Sequence, residues 1–81
     1  MYKVEIEKNV ESDISEEELK FSMDDLVNSI ESYLPEASDI HRSDNIIEIN
    51  TNLDESELKD IMKPAFSNHF YDIKFISVTK G

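Results

Sequence analysis

Two short stretches, 32 residues apart, punctuate this chain in nearly the same way: Phe21-Ser22-Met23-Asp24-Asp25-Leu26 and Leu53-Asp54-Glu55-Ser56-Glu57-Leu58. Each has a polar residue able to cap a helix, an acid three positions later, and an apolar residue just before the cap and four positions past it. That is the grammar of a capping box with a hydrophobic staple. Asp25 is a weaker third-position partner than the Glu57 of the second copy. Each start follows a strand-like run at some distance, so the chain reads as one α/β unit used twice.

The first strand is Tyr2, Val4 and Ile6 alternating with Lys3, Glu5 and Glu7, the period of a half-buried strand. Residues 9–18 carry five acids and only two apolar side chains, Val10 and Ile14; they read as a loosely held loop. Residues 15–21 admit two readings. A helix over 16–34, opened by Ser15 and Glu18, aligns Leu19, Met23, Leu26, Val27, Ile30 and Leu34 but turns Phe21 to solvent. A start at Ser22 makes Phe21 the staple and lets Leu19 and Phe21 alternate as in a short strand. Because a large exposed Phe is disfavoured, the later start is preferred. The first helix is then 22–34, burying Met23, Leu26, Val27, Ile30, Tyr33 and Leu34 and ending at Pro35.

A hairpin is expected from 37–42 and 45–51, turning near Ser43-Asp44-Asn45. Its first arm has one large apolar residue, Ile40, which suits an edge strand. Its second arm places Ile47 and Ile49 inward and Ile46 and Glu48 outward, as a central strand does. The second helix starts at Asp54 and stripes Leu58, Ile61, Met62, Ala65 and Phe66. Pro64 lacks a donor and clashes with the preceding turn, so that helix is expected to stop near Met62 or kink. A loop over 67–70 leads to a last strand over 71–79, with Tyr71, Ile73 and Phe75 on one face; Ile76 and Val78 break the alternation, the mark of a bulge or of contact with a partner's edge.

The order β-α-β-β-α-β predicts an α+β fold of ferredoxin-like layout: a four-stranded antiparallel sheet with both helices on one face, and residues 9–21 as an acidic insertion between the first strand and first helix. Residues 1–81 form a single small acidic domain in this reading. A chain this short buries only roughly 60% of its unfolded surface, and without cysteine it has no disulfide to help. No apolar run nears the roughly 18 residues of a membrane span, and the first residues lack the apolar region of a signal peptide. The expectation is a cytosolic protein.

Motifs for chemistry are missing. The one glycine is Gly81, so neither a phosphate cradle nor a calcium loop with its glycine turn can be built. No Gly-x-Ser-x-Gly elbow is present. His41 and His69 stand alone, without ligand spacing. The reading is therefore of a non-enzyme with no catalytic residue, no metal site and no cofactor. RNA-recognition motifs share the layout but carry aromatic residues on a basic sheet, whereas the central strands here offer Glu5, Glu7 and Glu48.

Charge is the one functional lead. The net charge is −11, and residues 9–60 alone hold 16 acids against 3 bases. Such a field repels nucleic acid and anionic membranes and attracts basic surfaces. Glu16, Glu17, Glu18, Asp24, Asp25 and Glu31 are the expected partner-binding residues, from the acidic loop and the adjoining outer face of the first helix. In size, acidity, absence of cysteine and lack of enzymatic motifs the chain resembles small phage-encoded inhibitors such as DNA mimics and anti-CRISPR proteins, and the immunity proteins and antitoxins that block nucleases. That resemblance implies a basic partner, a nucleic-acid-binding protein or nuclease, and direct contact with neither nucleic acid nor membrane. The alternatives are a self-associating module, monomer or homodimer, using Ile46, Ile76 and Val78, and a small-molecule or metal-binding domain.

Overall fold

In the computed structural model, residues 1–67 and 72–81 are described. The elements are β1 (Tyr2–Lys8), α1 (Glu16–Tyr33), β2 (Asp39–Ser43), β3 (Ile46–Asn50), α2 (Glu55–Ser67) and β4 (Ile73–Lys80). The strands form one sheet in the order β2-β3-β1-β4, every neighbouring pair antiparallel. This is the ferredoxin-like arrangement the element order predicts.

Alternation decides what each strand gives the core. Tyr2, Val4 and Ile6 of β1 and Ile47 and Ile49 of β3 are buried, and they meet Met23, Leu26 and Ile30 of α1 and Leu58, Met62 and Ala65 of α2 in one apolar cluster. Tyr2 keeps its hydroxyl satisfied by donating to the carbonyl of Leu53 at 2.7 Å, which ties β1 to the residue preceding the cap of α2. The outer strand β2 inserts only Ile40 beside the core. The hairpin closes through Asp44 and Asn45, with Ser43 facing Ile46. Asp44 takes φ 57°, a left-handed conformation that Asp tolerates better than most side chains. The carbonyl of Asn45 accepts from the Ile6 amide at 2.9 Å, locking the turn to β1.

The first helix is longer than the preferred reading. It opens at Glu16, with Ser15 as its cap: the Glu18 amide donates to Ser15 Oγ at 3.2 Å. Residues 16–21 are therefore helix, and the acidic insertion shrinks to 9–15. Three things outweigh the exposure of Phe21. Glu18 fits the third position better than Asp25; the longer helix brings Leu19 against the core; and Ile14 and Leu19 occupy the staple positions around Ser15. Loop 9–15 is also better tied than expected, since the Asn9 amide donates to the carbonyl of Asp72 and Ser12 Oγ to its carboxylate.

Three further expectations are corrected. Tyr33 is 52% exposed rather than buried, because α1 ends there and the chain turns away at Leu34, which packs beside the core instead. Pro64 does not end α2, which continues to Ser67. The Asp60 carbonyl loses its helical donor there, but Asp60 lies on the exposed side. Ala65 and Phe66 pack into or against the core and hold the last turn. Val78 also packs against the core and is not a free surface residue. The bulge is found: Glu5 faces Ser77 while Ile6 faces Phe75, so Ile76 is the extra residue of β4. The expected loop at 68–70 and the start of the last strand at Tyr71 lie outside the described residues.

Candidate functional site

The strongest local feature is the outer face of α1. At 3.6 residues per turn, Leu19, Met23, Leu26 and Ile30 point to the sheet. Glu17, Phe21, Asp24, Asn28 and Glu31 lie on the opposite side, all exposed. Glu18 and Asp25 flank that stripe one position further round, also exposed. The carboxylates therefore form two rows, Glu17-Asp24-Glu31 and Glu18-Asp25. Neighbours within a row are a heptad apart, about 10.5 Å along the axis. Glu16 sits at the N-terminal end of the same helix.

All six sequence-predicted site residues thus belong to one helix, not to a loop and a helix side by side. Glu16, Glu17 and Glu18 fill its first turn, where a negative charge also suits the positive end of the helix dipole. Glu18 is partly engaged, its Oε1 accepting from Ser15 Oγ at 3.3 Å. Asp24 differs from the rest. Arg42 reaches across from β2 and donates to Asp24 Oδ1 through Nη2 at 2.9 Å and Nε at 3.2 Å. Nη1 of the same guanidinium donates to the Asp44 carbonyl at 2.6 Å. The Arg42 side chain is only 17% exposed, against 61% for Asp24. Asp24 is accordingly a structural tie between α1 and the hairpin as well as part of the acidic face.

Sequence reasoning missed this pairing because it joins residues 18 apart on different elements. One signal was available: along an edge strand Arg42 shares a face with Ile40, and that face lies under the helices. Phe21 was also missed as part of the surface. It is 72% exposed, the most exposed aromatic side chain among the described residues.

The rest of the surface is less one-sided. The outer face of the sheet mixes signs: Lys3 faces Glu48 on β3, and Glu7 faces Lys74 on β4. His41 faces Glu48 from β2; His69 lies outside the described residues. On α2, Lys59 pairs with Glu55 at 3.4 Å and Lys63 with Asp60 at 3.7 Å. An apolar groove of about 630 Å³ lies at the end of α2, with Met62, Phe66 and Phe75 in its wall and Lys59 and Lys63 at its rim; the two rings meet edge to face at 5.4 Å. None of the predicted site residues lines it. Among the described residues no group of three or more His, Asp or Glu side chains is placed to hold a metal ion, and no helix is long and apolar enough to cross a membrane. Comparison with protein-family models, with curated proteins and with solved structures gave no match.

Proposed function

We propose that this chain is a small cytosolic, acidic inhibitor. It docks the outer face of α1 on the basic surface of a nucleic-acid-binding protein or nuclease, and so occupies ground that nucleic acid would use. The observation that carries this reading is the contrast in neutralisation. Glu16, Glu17, Asp25 and Glu31 make no ion pair among the described residues, while Glu55 and Asp60 of α2 each have a lysine. Five outer carboxylates, of which Asp24 alone is ion-paired, against the single base Lys20 leave this face strongly negative, which raises encounter rates with a cationic partner and makes them salt-dependent.

Charge density sets the kind of docking. From Glu17 to Glu31 the helix rises about 21 Å and displays five carboxylates. A B-form duplex of that length carries about 12 phosphate charges. The face therefore does not reproduce a duplex charge for charge; it engages part of a basic patch. The self-association alternative has less to work with. Val78 is turned to the core, and Ile46 stands on a sheet face interrupted by Glu5 and Glu48.

The test is capture of a basic protein from host cells at low salt, followed by kinetics with the triple variant Glu17→Gln, Glu18→Gln, Asp25→Asn, in which glutamine keeps the third position of the Ser15 capping box. Association should slow by about tenfold or more, with a shallower salt dependence and an unchanged circular dichroism spectrum. A captured partner that binds the variant as fast as the native chain refutes the reading.

A further inference from the structure

Phe21 is the centre of the acidic face, not a bystander on it. In a helix the side chains that adjoin residue i are those at i±3 and i±4. For Phe21 these are Glu17, Glu18, Asp24 and Asp25, four carboxylates out of four, all exposed. The ring could have been a staple beneath a helix starting at Ser22. The longer helix turns it outward instead, 72% exposed, and so forgoes most of the stabilisation that burying a Phe would bring. An apolar ring closed in by carboxylates is matched by a surface of inverse pattern, an apolar side chain closed in by cations. Guanidinium groups suit it doubly, since they pair with carboxylates in a fork and stack on an aromatic face. A second copy of this chain is excluded as the occupant of a two-fold contact, because the same four carboxylates would meet each other.

Resting on the docking reading above, we infer that the face around Phe21 receives a basic amphipathic helix of the partner protein. That helix places one apolar side chain on the Phe21 ring and carries arginines one heptad apart to meet the row Glu18-Asp25, with Glu17 beside them, while Asp24 keeps its tie to Arg42. The heptad spacing of the carboxylate rows selects a helix over an extended segment, whose side chains repeat every two residues. Phe21 supplies residence time and the carboxylates supply encounter.

The probe is a labelled synthetic helix with one leucine between arginines at heptad spacing, set against the same helix with that leucine changed to serine. Binding is read by anisotropy at about 50 and 200 mM salt. The native chain should prefer the leucine peptide by about tenfold. Phe21→Ala should abolish that preference and leave the serine peptide's affinity and salt slope unchanged. Because alanine favours an exposed helix position, this variant keeps the fold. Equal binding of the leucine peptide by the native chain and Phe21→Ala overturns the inference. If the Glu17→Gln, Glu18→Gln, Asp25→Asn triple variant still weakens both peptides, the acidic-docking reading survives that failure. If the triple variant weakens neither, both fall.

Discussion

The two helices have the same inner face and opposite outer ones. α1 buries Met23, Leu26 and Ile30, and α2 buries Leu58, Met62 and Ala65. Outside, α1 carries six acids and one base over 18 residues, while α2 carries three acids and two bases over 13. The lysines of α2 stand three or four positions from an acid, the spacing that closes a helical ion pair. On α1 the single base, Lys20, also stands three positions from Glu17 and four from Glu16 and Asp24, yet makes no ion pair among the described residues, and the one neutralised carboxylate, Asp24, is matched from β2. Two solutions to one packing problem thus leave different surfaces. The shared requirement is an apolar stripe; what the free positions carry is open to other demands, and on α1 they carry almost only one sign.

The largest effects should test the shared half of that comparison. Leu26→Ala and Leu58→Ala each remove a fully buried side chain, and each should cost roughly 2–5 kcal/mol, read as a fall in the urea midpoint. A large loss at one and a negligible loss at the other would mean that the helices do not contribute alike to the core.

Next comes the boundary that distinguishes α1. Ser15→Ala should cost about 0.5–2 kcal/mol and Ser22→Ala far less, with amide exchange faster in the first turn of the Ser15 variant. The reverse order would restore the start at Ser22, return Phe21 to the interior and remove the centre of the acidic face.

Smaller still is Arg42→Gln. It takes away the one base matched to α1 and should cost about 1 kcal/mol, because the guanidinium is largely covered while its carboxylate is mostly in water. High salt should narrow that loss. The smallest effect belongs to α2: Lys59→Gln should cost about 0.2–0.5 kcal/mol. Asp25→Asn on α1, which breaks no ion pair and lies beyond the first turn, should cost nothing measurable in thermal melts. An equal loss from both changes would erase the difference in neutralisation.

Much of this molecule could be read from its residues, for reasons that differ by element. Strand periodicity is local and strong, so β1, β3 and the inward set Val4, Ile6, Ile47 and Ile49 follow from the alternation alone. The bulge at Ile76 announced itself as a broken period. The start of α1 was misplaced because two capping signals compete over seven residues, and a general preference against exposed Phe was allowed to decide between them. The chain decides on Leu19 and the better box at Ser15. Pro64 misled because the cost of a lost helical bond is local, whereas the hold on the last turn comes from Ala65 and Phe66 meeting the sheet. The acidic face was legible as composition. Its arrangement in two rows around Phe21 required knowing that residues 16–21 are helical, and the tie from Arg42 to Asp24 required the tertiary fold.

The extra residue in β4 has a consequence for how this sheet meets other sheets. β4 is an outermost strand, eight residues long, with Phe75 and Ile76 partly open to water; a straight rim of that kind invites stacking into fibres. The irregularity at Ile76 throws the rim's donors and acceptors out of step halfway along, and Lys74 and Lys80 stand on either side of it. A newcomer strand would zip along half of that border and then lose its place, so the rim resists edge-to-edge growth without sacrificing the apolar residues the interior needs.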